Sequence, residues 1–85
     1  MAYLLKVDGT IEQMGRNPPL EELQKAVGGY IEGVTTANGG RFYCNEEGKL
    51  MGLPHNPAAN SMIDFDDYIV GDVVVMEGDE EDDDF

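Results

Sequence analysis

Hydrophobic positions recur with a helical period in one segment, residues 19–27. Leu20, Leu23 and Val27 are spaced three and four residues apart and therefore share one face, while the charged residues between them fall on the other. Two prolines precede the periodic positions and suit a helix start, where a missing N–H costs little. Two glycines follow, and glycine commonly ends a helix. The pattern predicts one helix, on which a sheet must pack.

Segments rich in β-branched and aromatic residues, separated by Gly, Asn and Asp turns, predict the sheet. The predicted strands span residues 3–7, 10–14, 30–36, 41–45, 49–53 and 68–76. Tight turns join the third, fourth and fifth of these into a meander. The last is the most β-prone and is expected at the centre. We therefore predict an α+β domain over residues 1–76, with a mainly antiparallel sheet of five or six strands packed on the helix.

The connection between the first two strands contains Asp8-Gly9, a strong hairpin signal. Two registers are open at this turn. A two-residue loop would place Leu5 opposite Glu12, whereas a glycine bulge would place Leu5 opposite Ile11. We favour the bulged register.

The chain is strongly acidic, because it has 18 acidic residues and only 5 basic ones, which gives a net charge of −13. Residues 77–85 hold seven of these acids and no base, and this acidic tail is expected to be disordered when free. Binding to nucleic-acid phosphates requires Lys and Arg, so direct contact with nucleic acid is disfavoured and a basic protein partner is favoured. No apolar run is long enough to span a membrane, and the single cysteine, Cys44, fits a reducing cytoplasm.

Candidate catalytic and metal-binding residues are few. Cys44 and His55 are the only thiol and imidazole, and in principle they could form a Cys–His nucleophile. We favour a buried structural cysteine and a loop histidine instead. A zinc site needs about four such ligands, and the acidic run at residues 64–67 lacks the glycine and glutamate that complete a calcium loop. We predict no catalytic residue, metal or cofactor.

The segment 53–62 is predicted to be a loop, because Pro54 and Pro57 lie close together near its start and cannot continue a β ladder. Residues 57–62 could form one helical turn capped by Asn56. The polar side chains of His55, Asn56 and Asn60 could instead line a pocket for a small molecule or nucleotide. The sequence leaves both interpretations open.

Four sequence blocks resemble one known family in their order along the chain. They read GGYIE at residues 28–32, NEEGKL at 45–50, LPHN at 53–56 and IVGDVVV at 69–75. Over about residues 2–76 the chain resembles the domain-of-unknown-function 3846 family, found largely in phage, plasmid and other mobile-element genomes. Asn60 stands where the family pattern leads us to expect Thr, and the acidic tail falls outside the resemblance. The resemblance implies a mobile-element context and supplies no catalytic residues.

The acidic tail is similar to the C-termini of bacterial and phage single-stranded-DNA-binding proteins, which end in acids and a final Phe. This similarity implies that the ring enters an apolar pocket of a replication or repair enzyme, while its carboxylate meets a basic group. A tail that serves only solubility is the alternative. The candidate partner-binding residues are Glu80, Glu81, Asp82, Asp83, Asp84 and Phe85.

Together these features predict a non-enzymatic accessory protein of a phage or mobile element in the host cytoplasm. It would bind a basic host or phage protein that handles nucleic acid or serves defence, and would either inhibit that protein as a DNA mimic or recruit it. The alternative is a domain that binds or sequesters a small nucleotide or another small molecule through the 53–62 loop. An enzyme is the third choice.

Overall fold

A single antiparallel sheet organises residues 1–77, the part of the chain that the computed structural model describes. The elements are β1 (Ala2–Leu5), β2 (Ile11–Gly15), α1 (Leu20–Val27), β3 (Ile31–Thr35), β4 (Arg41–Asn45), α2 (Pro57–Asn60) and β5 (Val73–Met76). The strand order is β2-β1-β5-β4-β3, and every neighbouring pair is antiparallel. The predicted α+β class is confirmed, with five strands. The prediction made for the rest of the tail, residues 78–85, lies outside the described residues.

The last strand, β5, lies at the centre of the sheet, as the sequence predicted. All four of its side chains are buried, which suits a strand covered on both faces. It is shorter than the predicted 68–76 because Gly71 has a φ of +77°, which an extended strand does not allow. Before that glycine, Val70 forms only an isolated bridge with His55.

The hairpin of β1 and β2 adopts the bulged register. Leu5 lies opposite Ile11, so the register that we favoured is confirmed. The N–H of Lys6 donates to the carbonyl oxygen of Thr10 at 2.9 Å, which closes the turn. Gly9 supplies the φ of +88° that the bulge requires.

Helix α1 covers one face of the sheet. It ends at Gly28, whose left-handed φ of 82° lets its N–H donate to the carbonyl of Gln24. The buried side chains between α1 and the sheet are Ala2, Leu4, Leu23, Val27, Tyr43, Val74 and Met76. Leu20 remains 49% exposed, so the face that contacts the sheet is narrower than the sequence pattern predicted.

Helix α2 and the segment 61–70 cover the opposite face. The buried side chains on this face are Leu5, Phe42, Cys44, Ala59, Ile69, Val73 and Val75. Asn56 caps α2 by accepting a hydrogen bond from the N–H of Ala59, as the capping interpretation predicted. Only one turn of helix is present, and the rest of this cover is irregular.

The strand predicted at residues 49–53 is wrong, because residues 46–52 form consecutive turns. The N–H of Leu53 donates to the carbonyl of Gly48, which curls the chain back on itself. A side chain at Gly48 would place its Cβ 2.9 Å from Cγ2 of Val70, so this close approach requires glycine. The predicted three-stranded meander is therefore a two-stranded hairpin of β3 and β4.

Candidate functional site

A cleft of about 410 Å³ lies on the α2 side of the sheet, between the β3–β4 hairpin and the segment 64–70. Its polar side chains come from both walls, and its lining residues are Glu32, Gly33, Val34, Thr35, Thr36, Cys44, Asn45, Glu46, Lys49, Asp64, Phe65, Asp67, Tyr68, Ile69 and Val70. The volume falls in the range of natural ligand-binding clefts. We call it the acidic cleft because of the carboxylates that line it.

Carboxylates dominate the charge of the acidic cleft. Its lining includes Glu32, Glu46, Asp64 and Asp67, all four of which are exposed, and among residues 1–77 Lys49 is the one base that lines it. Charges of one sign gathered in a concave surface strengthen the local field. The acidic cleft therefore attracts cations and repels phosphates.

Lys49 occupies one wall of the acidic cleft. Its Nζ lies 2.5 Å from Oδ1 of Asp67 and 4.3 Å from the ring centroid of Tyr68. The hydrogen bond with Lys49 holds the pKa of Asp67 below its usual value, and the same bond raises the pKa of Lys49. This wall thus holds an ammonium group between a carboxylate and an aromatic face, which is a favourable cation environment.

Two aromatic rings of the acidic cleft remain accessible. Phe65 is 47% exposed and Tyr68 is 44% exposed. His55 stacks on Tyr68, with ring centroids 4.9 Å apart and planes 9° from parallel. An exposed ring beside a carboxylate suits the stem and the charged head of a lysine or arginine side chain.

Cys44 is buried, as the sequence interpretation predicted. Burial raises the pKa of its thiol to about 11, and the negative charge of Glu32 adds to that increase. The thiol is therefore protonated at neutral pH, which makes it a poor nucleophile. The second member of the conceivable Cys–His pair, His55, stacks on Tyr68 and does not line the acidic cleft.

The three residues proposed as a ligand loop lie elsewhere in the fold. Asn56 is completely buried, and its amide nitrogen donates to the carbonyls of Leu5 at 3.1 Å and Gly71 at 2.9 Å. The side-chain oxygen of Asn60 accepts a hydrogen bond from the N–H of Ile69 at 3.0 Å. Neither asparagine lines the acidic cleft: Asn56 attaches the irregular cover to β1, and Asn60 joins two parts of that cover.

The remaining sequence predictions concern metal sites, membrane-spanning segments and the acidic tail. Within residues 1–77, no three His, Cys, Asp or Glu side chains are grouped to hold a metal ion. Among the same residues, no helix is long and apolar enough to cross a membrane. The candidate partner-binding residues Glu80, Glu81, Asp82, Asp83, Asp84 and Phe85 lie outside the described residues.

Sequence reasoning did not identify the acidic cleft. From the sequence alone, residues 64–67 indicate only an incomplete calcium loop, and Glu32 is only part of the predicted strand 30–36. The signal that could have found the cleft is the alternation of acids with aromatic rings at residues 64–68, which read DFDDY. A loop that only has to be solvated does not require aromatic rings among its acids.

These features define a small α+β protein with an acidic cleft on one face of an antiparallel sheet. The chain belongs to the family described as Domain of unknown function (DUF3846), whose family model matches residues 2–85. The match includes the acidic tail, so the resemblance extends beyond the boundary at residue 76 that the sequence blocks indicated. No curated protein and no solved structure matches the chain.

Proposed function

We propose that this protein is a non-enzymatic accessory protein of a phage or other mobile element, and that it binds a basic protein that handles nucleic acid or serves defence. The acidic cleft carries the proposal, because it combines four exposed carboxylates with two exposed aromatic rings. Proteins that handle nucleic acid present lysine and arginine to phosphates. Those same side chains suit this cleft, and occupying them would block the DNA-binding surface of the partner.

Charge outside the acidic cleft supports the same partner. The chain as a whole carries −13, which steers a basic protein toward it and raises the association rate at low salt. Lys49 already fills part of the acidic cleft with an ammonium group. A partner's cation would bind the other lining carboxylates, those of Glu32, Glu46 and Asp64, beside the exposed ring of Phe65.

A charge-neutralisation experiment tests the role of the acidic cleft. The probe is an eight-residue oligo-arginine peptide, titrated calorimetrically against wild type and against the double variant Glu32→Gln/Asp64→Asn. The control is Glu21→Gln/Glu22→Gln, which removes two exposed charges from α1 on the other face. We expect the cleft variant to bind about fivefold or more weakly, roughly 1 kcal/mol, and the control to lose less than about twofold. Equal losses would mean that only net charge matters and would refute a cleft-directed partner.

The tail remains a sequence-based part of the proposal. Binding energy concentrates in buried aromatic anchors, whereas single exposed charges contribute little. Deleting Phe85 should weaken binding to a replication or repair enzyme that recognises such tails by about tenfold, roughly 1.4 kcal/mol. The matched change Asp83→Asn should have a much smaller effect, mainly on the association rate. Equal affinity with and without Phe85 would leave the tail as a simple polyanion.

A further inference from the structure

Strand β3 is one of the two edges of the sheet. Its hydrogen bonds to β4 fix which backbone groups face outward. The N–H of Thr36 donates to the carbonyl of Gly40 at 2.9 Å, and the N–H of Glu46 donates to the carbonyl of Tyr30 at 2.8 Å. Even-numbered residues of β3 therefore bond to β4, and the alternate residues direct their N–H and C=O groups to the open edge. These outward-facing residues are Ile31, Gly33 and Thr35.

The two edges of the sheet differ in regularity. The β3–β4 ladder runs through five consecutive residue pairs without a shift. The β1–β2 ladder shifts register between Ala2 and Tyr3, and β2 ends at Gly15 with a φ of +85°. Bulges and twists protect an edge from pairing with another strand, whereas a regular edge accepts one. Edge β3 is the better acceptor.

Edge β3 also forms part of the acidic cleft. Residues 32–36 line the cleft, and Glu32 lies opposite Cys44, on the face that α2 covers. Side chains of an added strand would alternate between the two faces, as those of β3 do. Every second side chain of such a strand would therefore point toward the cleft face, beside Glu32 and Val34.

We propose that the partner binds by adding an extended segment to edge β3, with lysine or arginine at alternate positions directed into the acidic cleft. This inference rests on the proposed function and specifies how the partner is held. Backbone hydrogen bonds would supply affinity, and the alternate basic side chains would supply specificity. A second copy of β3 is a poorer occupant, because its Glu32 would add a carboxylate to a face that already carries four.

Peptides of equal charge test the strand addition. The probe is a ten-residue peptide that alternates arginine and threonine, and two further versions carry backbone N-methyl groups on either the arginines or the threonines. In an added strand, the N–H groups of only one of these two sets face β3. We expect one methylated peptide to bind about tenfold or more weakly and the other to bind like the parent. If both methylated peptides bind like the parent, strand addition is refuted while the cleft proposal stands. If none of the three binds, the cleft proposal itself fails.

Amide hydrogen exchange gives a second readout on the intact protein. Without peptide, the N–H groups of Glu32 and Val34 should be protected, and those of Gly33 and Thr35 should exchange quickly. Adding the parent peptide should slow exchange at Gly33 and Thr35. Unchanged exchange at these two positions in the saturated complex would overturn the inference.

A substitution pair at Gly33 isolates the outward N–H group. Gly33→Pro removes that donor without removing a bond to β4, and Gly33→Ala is the control because both add a Cβ. That Cβ would lie 3.5 Å from Cε1 of Tyr43, an ordinary contact. We expect the proline variant to lose about tenfold in affinity for the parent peptide and the alanine variant to retain it. Equal affinities in two folded variants would contradict strand addition.

Discussion

The two faces of the sheet are covered by different physical means. Helix α1 covers the first face chiefly with the apolar side chains of Leu23 and Val27, and one buried side-chain hydrogen bond, from Asn45 of β4 to the carbonyl of Val27, holds its last residue. The second face is covered by one turn of helix and an irregular segment. Asn56 attaches this cover to Leu5 of β1 and to Gly71, and Asn60 joins two parts of the cover by accepting from the N–H of Ile69. An α-helix pairs most of its backbone groups internally, whereas an irregular segment depends more on side-chain partners.

The difference explains where the acidic cleft lies. An irregular segment does not follow the sheet at one distance, so it separates from β3 and leaves space lined by its own polar groups. Asn56 fixes the segment at its beginning, and the hydrogen bond between Asn60 and Ile69 closes a loop whose residues 64–68 carry the acids and rings. The first face is closed by apolar packing, while the second leaves an open cleft beside the residues that cover it.

The largest expected effect on stability concerns the apolar face. Leu23→Ala should lower the free energy of unfolding by about 3 kcal/mol, because Leu23 is completely buried and truncation leaves a cavity. Leu20→Ala is the matched control on the same helix, since Leu20 is exposed, and it should cost less than about 1 kcal/mol. Chemical denaturation measures both. Similar losses would show that α1 does not anchor the first face.

Removing the polar attachment that Asn56 provides should lower the free energy of unfolding almost as much. Asn56→Ala removes the cap of α2 and leaves the buried carbonyls of Leu5 and Gly71 without this donor. We expect a loss of about 2–3 kcal/mol in the free energy of unfolding. Asn60→Ala removes one hydrogen bond and should cost about 1 kcal/mol. An Asn56 variant no less stable than the Asn60 variant would show that the cover does not depend on this side chain.

The buried thiol predicts a pH dependence. The folded pKa of Cys44 is about 11, above its value in the unfolded chain, so folding favours the protonated thiol. This contribution to stability is complete below pH 9 and is lost as the pH rises toward 11. Cys44→Ala serves as the control for other groups that titrate there. Wild type should lose more stability than this variant between pH 9 and 11, and parallel losses would contradict the buried environment.

The smallest effect on stability is expected at the cleft wall. Lys49→Met retains the side-chain stem but removes the charge that faces Asp67, and an exposed pair of this kind contributes little to the free energy of unfolding because water and salt screen it. Affinity for oligo-arginine should rise about twofold to threefold, because the acidic cleft loses its lining base. Lys25→Met, on α1, makes the same charge change away from the cleft. Equal gains in affinity in the two variants would show that only net charge matters.

Features that depend on neighbouring residues could be predicted from the sequence, whereas features that depend on distant residues could not. Local patterns predicted α1, the bulged hairpin and the Asn56 cap, because each depends on residues within a few positions of one another. The prediction of a strand at 49–53 was wrong because the local conformation depends on the close approach of Gly48 to Val70, which is more than twenty residues away. The acidic cleft was missed for the same reason, since residues that are distant in sequence, 32–36, 44–49 and 64–70, line it together.

The central position of β5 has a consequence for how the protein acquires its structure. The β1–β2 and β3–β4 hairpins share no strand ladder within residues 1–77, and β5 pairs with one strand of each. During synthesis both hairpins leave the ribosome before the strand that joins them. Pairs such as Ala2 with Met76 are distant in sequence, and contacts of this kind slow folding. The sheet can therefore be completed only after residues 73–76 have been synthesised, when β5 pairs with β1 and β4.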